Sequence, residues 1–92
     1  MRKMQILYRE KDGLTQTNSI PYLLQKPDAA DSIKSVFEDI GWKCYITKDP
    51  MNEYKAKKVN KMIKNAAENG CDMKKFFSRL NGEEDFLTET KR

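Results

Sequence analysis

Four lysines and a tyrosine recur in one stretch of the sequence at spacings typical of one side of a helix. At 100° per residue they fall within about a third of the helix circumference. Ammonium groups held this close can contact a phosphate backbone, and an exposed aromatic ring can stack on a base. This pattern predicts a nucleic-acid interface, and it would suit an acidic protein surface equally well. The residues are Tyr54, Lys57, Lys58, Lys61 and Lys64.

The four lysines of this set, called the lysine face below, have a simpler interpretation as an ordinary solvated surface. Like charges three or four residues apart on a helix repel each other by a few tenths of a kcal/mol per pair. An anionic partner would relieve that repulsion, which the solvated interpretation leaves unexplained. A second basic group follows at Lys74, Lys75 and Arg79, and we expect it to extend the same surface.

Catalytic and metal-binding residues are scarce in this chain. It has no histidine, so the most frequent general base and metal ligand is missing. The two cysteines, Cys44 and Cys71, are too few for a disulfide framework or a structural zinc site. We expect both to be buried, reduced thiols of a cytoplasmic protein. The sequence therefore predicts a non-enzymatic protein without metal or cofactor.

The charge is unevenly distributed over the 92 residues, which carry a net charge of +4. Residues 49–82 hold eight basic and four acidic side chains, whereas residues 83–92 hold two basic and four acidic ones. No apolar run approaches the roughly 20 residues that a membrane-spanning helix needs, so no membrane partner is expected. We predict a single α+β domain over residues 1–82 and a flexible acidic C-terminal tail over residues 83–92.

The N-terminal half predicts a small sheet with a helix over it. Met4–Arg9 alternates as a strand, and Lys11–Gly13 supplies turn residues before the polar strand Leu14–Ile20, which suits a sheet edge. Trp42–Thr47 alternates as a third strand. A helix capped by Asp28 precedes it. We expect this helix to bury one apolar stripe, made of Ala29, Ile33, Val36, Phe37 and Ile40.

The C-terminal half predicts a helical hairpin. Asp49 and Pro50 are typical of a helix start, and this helix should run to about Asn69. Asp72 can cap a third, shorter helix. The spacing around the turn partly fits a DNA-binding helix-turn-helix, and a hairpin that merely packs its two apolar stripes is the alternative. We expect one core, built from Phe37, Trp42, Ile46, Val59, Ile63, Phe76 and Leu80.

These observations favour a small basic binding protein of bacterial, phage or mobile-element type, acting on nucleic acid or on a nucleic-acid–protein complex. The alternative is a protein-binding inhibitor or adaptor, such as a phage-type inhibitor of a host nuclease or defence complex. In that case the edge strand Leu14–Ile20 would add to a partner sheet. A homodimer is a third possibility, because a domain this small gains stability from association.

Overall fold

Four strands and three helices make up residues 2–82, the part of the chain that the computed structural model describes. The α+β class predicted from the sequence is confirmed. The predicted tail, residues 83–92, lies outside the described residues. The elements in chain order are β1 (Lys3–Lys11), β2 (Leu14–Pro21), α1 (Ala29–Asp39), β3 (Lys43–Ile46), β4 (Met51–Asn52), α2 (Glu53–Glu68) and α3 (Met73–Leu80).

Strand β1 lies at the centre of an antiparallel sheet. β2 pairs with it along its whole length, from Met4 opposite Pro21 to Lys11 opposite Leu14. On the other side of β1, strands β3 and β4 follow one another end to end. β2 is therefore an edge strand, as predicted, and the sheet has one strand more than expected. The hairpin turn has positive φ at both Asp12 (51°) and Gly13 (84°), a conformation that matches the strand twist.

The fourth strand shows that the predicted start of the second helix is wrong. Met51 and Asn52 are extended and pair with Met4 and Lys3 of β1, so the helix begins at Glu53. Met51 is buried, and its pairing covers an edge of β1 that β3 is too short to reach. Asn52 is the cap, because its side-chain oxygen accepts a hydrogen bond from the Lys55 N–H (2.8 Å).

Helices cover both faces of the sheet, and three of the seven residues predicted for the core lie outside its buried cluster: Phe37, Trp42 and Ile46. On one face α2 and α3 pack over Ile6 and Tyr8, together with Val59, Ile63 and Phe77. On the opposite face, Phe37 and Trp42 meet edge to face beside α1. Successive strand residues point to opposite faces of the sheet. In β3, Tyr45 therefore packs against the cluster under α2 and α3, whereas Ile46 lies on the α1 face.

Only part of the apolar stripe predicted for α1 is buried. The helix contacts the sheet through Ala30, which is 2% exposed, and through half-buried Phe37. The Arg9 guanidinium lies 4.0 Å from the centroid of the Phe37 ring, within cation–π range. The stripe residues left exposed are Ile33, Val36 and Ile40.

Candidate nucleic-acid interface

Helix α2 places the lysine face in solvent because its opposite side is the core. Ala56, Val59, Ile63 and Ala66 are buried against the sheet. At 100° per residue the direction opposite to them falls at Lys61 and Tyr54. All four lysines of the face are exposed, and the arrangement predicted from helical spacing is therefore present.

Tyr54 lies on the surface among these lysines. Its side chain is 70% exposed, so the ring does not pack against the preceding strand. The Lys58 ammonium lies 4.7 Å from the ring centroid, within cation–π range. An aromatic ring with a cation beside it can stack its face on a nucleobase, while the cation contacts the phosphate of the same nucleotide.

No carboxylate of residues 2–82 forms an ion pair with any lysine of the lysine face. The two acidic residues of α2, Glu53 and Glu68, stand at opposite ends of the helix. The positive charge in the middle of the helix is thus without a direct counter-charge from the described residues. Such a surface attracts anions from a distance and loses that attraction as salt is added.

The lysine face continues onto the polar edge strand β2, a neighbourhood that the sequence alone did not show. A shallow groove of about 420 Å³ is lined by Ser19, Asn60 and the four lysines. A second groove of the same size joins Thr15–Asn18 to Lys64 and Glu68. The hydroxyl groups of β2 share the α2 face of the sheet and can donate hydrogen bonds to phosphate or sugar oxygens. They come from a segment nearly forty residues earlier in the chain, and no local pattern links them to α2.

Lys74 of the second basic group does not lie on the lysine face. Lys74 lines a cleft of about 650 Å³ together with Lys34 and Lys48, along the β3 side of the sheet. The lysine face flanks β2, on the other side of β1. Lys75 and Arg79 are exposed one turn apart on α3. The structure therefore places Lys74 away from the lysine face.

The turn between α2 and α3 corrects a further prediction. Cys71 is exposed rather than buried, whereas Cys44 is buried as expected. Gly70 has a positive φ of 77° and closes the end of α2, and the Cys71 N–H donates to the Ala66 carbonyl oxygen (3.0 Å). The backbone is thus used to end the helix, and the thiol points away from the core.

The Cys44 thiol is held in its protonated form. Burial raises its pKa above the usual value, and the Glu38 carboxylate nearby raises it further.

Among residues 2–82, no group of three or more histidine, cysteine, aspartate or glutamate side chains is placed to hold a metal ion. Within the same residues, no helix combines the length and the apolar character needed to cross a membrane.

Comparisons of the chain with protein-family models, with curated proteins and with solved structures found no match.

Proposed function

We propose that this chain is a non-enzymatic nucleic-acid-binding protein that contacts single-stranded DNA or RNA through the lysine face and Tyr54. The observation that supports this most directly is the exposed Tyr54 ring set among four lysines without a carboxylate partner in the described residues. The small size and basic composition fit a cytoplasmic protein of bacterial, phage or mobile-element type.

The expected binding mode follows from the position of each group. Lys57, Lys61 and Lys64 would contact successive phosphates. Tyr54 would stack on an unpaired base, and Lys58 beside it would contact a fourth phosphate. A single strand is favoured because a base within a duplex offers no free face to the ring. For four phosphate contacts on a single strand, the logarithm of the affinity should fall with the logarithm of salt with a slope of about −3.

Charge reversal on the lysine face tests this proposal. We expect Lys57→Glu with Lys61→Glu to abolish binding to a fluorescent oligothymidylate at low salt, measured by anisotropy. Lys26→Glu with Lys43→Glu is the matched control, since both residues are exposed and lie off α2. It changes the net charge equally and should retain most of the affinity. Equal losses in both variants would mean that only the overall charge matters.

Substitution of the tyrosine tests the stacking contact separately. Tyr54→Ala should weaken binding by about 1–3 kcal/mol, while Tyr54→Phe, which keeps the ring, should bind nearly as wild type. Wild-type protein that binds neither DNA nor RNA at low salt would contradict the nucleic-acid function. The lysine face would then fit an acidic protein surface, the other partner class for the same charges.

A further inference from the structure

Among residues 2–82, no strand pairs with the outer edge of β2, which presents a regular row of backbone N–H and C=O groups. Hydrogen bonding alternates along an antiparallel strand pair. The Tyr22 N–H donates to the Lys3 carbonyl oxygen (2.8 Å), which fixes the even-numbered residues of this segment as those bonded to β1. The N–H and C=O groups of Thr15, Thr17 and Ser19 therefore point away from the sheet. Pro21 is also odd-numbered, so its nitrogen, which carries no hydrogen, points outward and β1 loses no hydrogen bond.

The side chains of β2 form a chemical palindrome around Thr17. Moving outward from it, Gln16 matches Asn18, two amides, and Thr15 matches Ser19, two hydroxyls. The next pair is Leu14 and Ile20, both aliphatic. A strand with this symmetry, laid antiparallel against itself with Thr17 at the centre, places each side chain opposite one of its own kind.

We infer that β2 is a self-association surface, and that its occupant is β2 of a second copy of this chain. A two-fold axis at Thr17 pairs Thr17 with itself and Thr15 with the second copy's Ser19. The three outward-facing pairs exchange two backbone hydrogen bonds each. The result is one continuous sheet through both copies, with the isologous contact typical of symmetric dimers.

Charge and exposure both favour a second copy on this edge. The eight residues of β2 carry no charged side chain, although charged residues make up 35% of the chain. Natural edge strands usually carry lysine or a similar charge to prevent such pairing. Leu14 is 65% exposed, and in the paired arrangement it lies directly opposite the second copy's Ile20, where both lose contact with water.

The neighbouring helix adds a complementary contact. Glu68 lies in the groove at the Thr15–Asn18 part of β2, whereas Lys57 and Lys61 lie in the groove at Ser19. The two-fold axis brings the Thr15 end of one copy to the Ser19 end of the other. Each copy's Glu68 therefore approaches the lysines of the other copy, which offsets the repulsion expected between two chains of net charge +4.

Cysteine cross-linking tests the register of this pairing without reference to nucleic acid. In a Cys71→Ser background, Thr17→Cys should form a disulfide-linked dimer in air, because directly opposed Cα atoms lie about 5.5 Å apart. Thr15→Cys is the matched control on the same strand face. Its two copies would stand about 14 Å apart, so it should link only to Ser19→Cys protein. If Thr17→Cys fails to link, or links no faster than Thr15→Cys alone, the inference is wrong.

Sedimentation provides an independent measurement on the unlinked protein. The wild type should shift with concentration from 10.8 kDa to twice that mass. Thr17→Pro removes one outward N–H and leaves the β1 pairing intact, so it should stay monomeric and folded by circular dichroism. Thr17→Val, which keeps the N–H, should still dimerise. A wild type that remains monomeric at every concentration, or a folded Thr17→Pro variant that dimerises equally well, would overturn the inference.

Discussion

Thr47 closes a gap in the sheet where neither β3 nor β4 reaches the middle of β1. Its hydroxyl oxygen accepts a hydrogen bond from the Ile6 N–H (2.9 Å), and its own N–H donates to the Ile6 carbonyl oxygen (3.0 Å). The Gln5 amide donates to the carbonyl oxygens of Thr47 and Lys48, both at 3.1 Å. These side chains substitute for a missing stretch of strand pairing.

Thr47→Val should therefore destabilise the domain although it preserves shape and volume. Ile6 is 0% and Thr47 2% exposed, so water cannot replace the lost hydroxyl. An unsatisfied buried N–H costs about 1–3 kcal/mol. For a domain of this size, a loss of about 2 kcal/mol lowers Tm by roughly 8–16 °C. Thr47→Ser, which keeps the oxygen and loses a methyl, should cost about 0.5–1.5 kcal/mol.

Thermal unfolding combined with hydrogen exchange distinguishes this reasoning from a simple packing effect. The Ile6 amide should lose more protection in Thr47→Val than neighbouring β1 amides do, and it should remain protected in Thr47→Ser. If Thr47→Val is as stable as the wild type and its Ile6 amide exchanges equally slowly, the hydroxyl does not serve as the missing strand partner.

Two titratable groups give further predictions. A thiol reagent should modify only Cys71 in the native protein, because Cys71 is exposed while Cys44 is buried with a raised pKa. Denaturant should make the Cys44 thiol reactive as well. Immediate reaction of both thiols in the native protein would contradict the structure. Burial, and then the hydrogen bond to Glu10, raise the pKa of Tyr8 far above its usual value of 10.0. The folded state thus favours the protonated phenol, and this stability is present below about pH 10 and is lost as the pH rises towards the folded pKa. Tyr8→Phe should lose less stability than the wild type between about pH 10 and 12, as measured by urea midpoints, and an equal loss would mean that Tyr8 does not ionise on unfolding.

The sequence by itself determined the elements whose signals are local. The turn at Asp12 and Gly13 forms the hairpin because both positions accept a positive φ. The Asp72 carboxylate caps α3 by accepting from the Lys74 N–H (3.1 Å), as its position before the apolar repeat indicated. The lysine face was predictable for the same reason, since helical spacing alone places it opposite Ala56, Val59 and Ile63.

The tertiary structure decided what depends on distant partners. Met51 and Asn52 became a strand because the end of β1 was available to pair with them. Their partners lie 47 and 49 positions earlier in the chain and leave no trace in local periodicity. The strand alternation of β3 was correctly predicted, yet only the packing of helices on both faces placed Phe37 and Trp42 away from the core that holds Val59 and Ile63. Packing also separated Lys74 from the lysine face and brought β2 beside it. Charge and periodicity can be read from a single segment of sequence. Which segments become neighbours depends instead on the order of strands in the sheet, and contacts along the whole chain set that order.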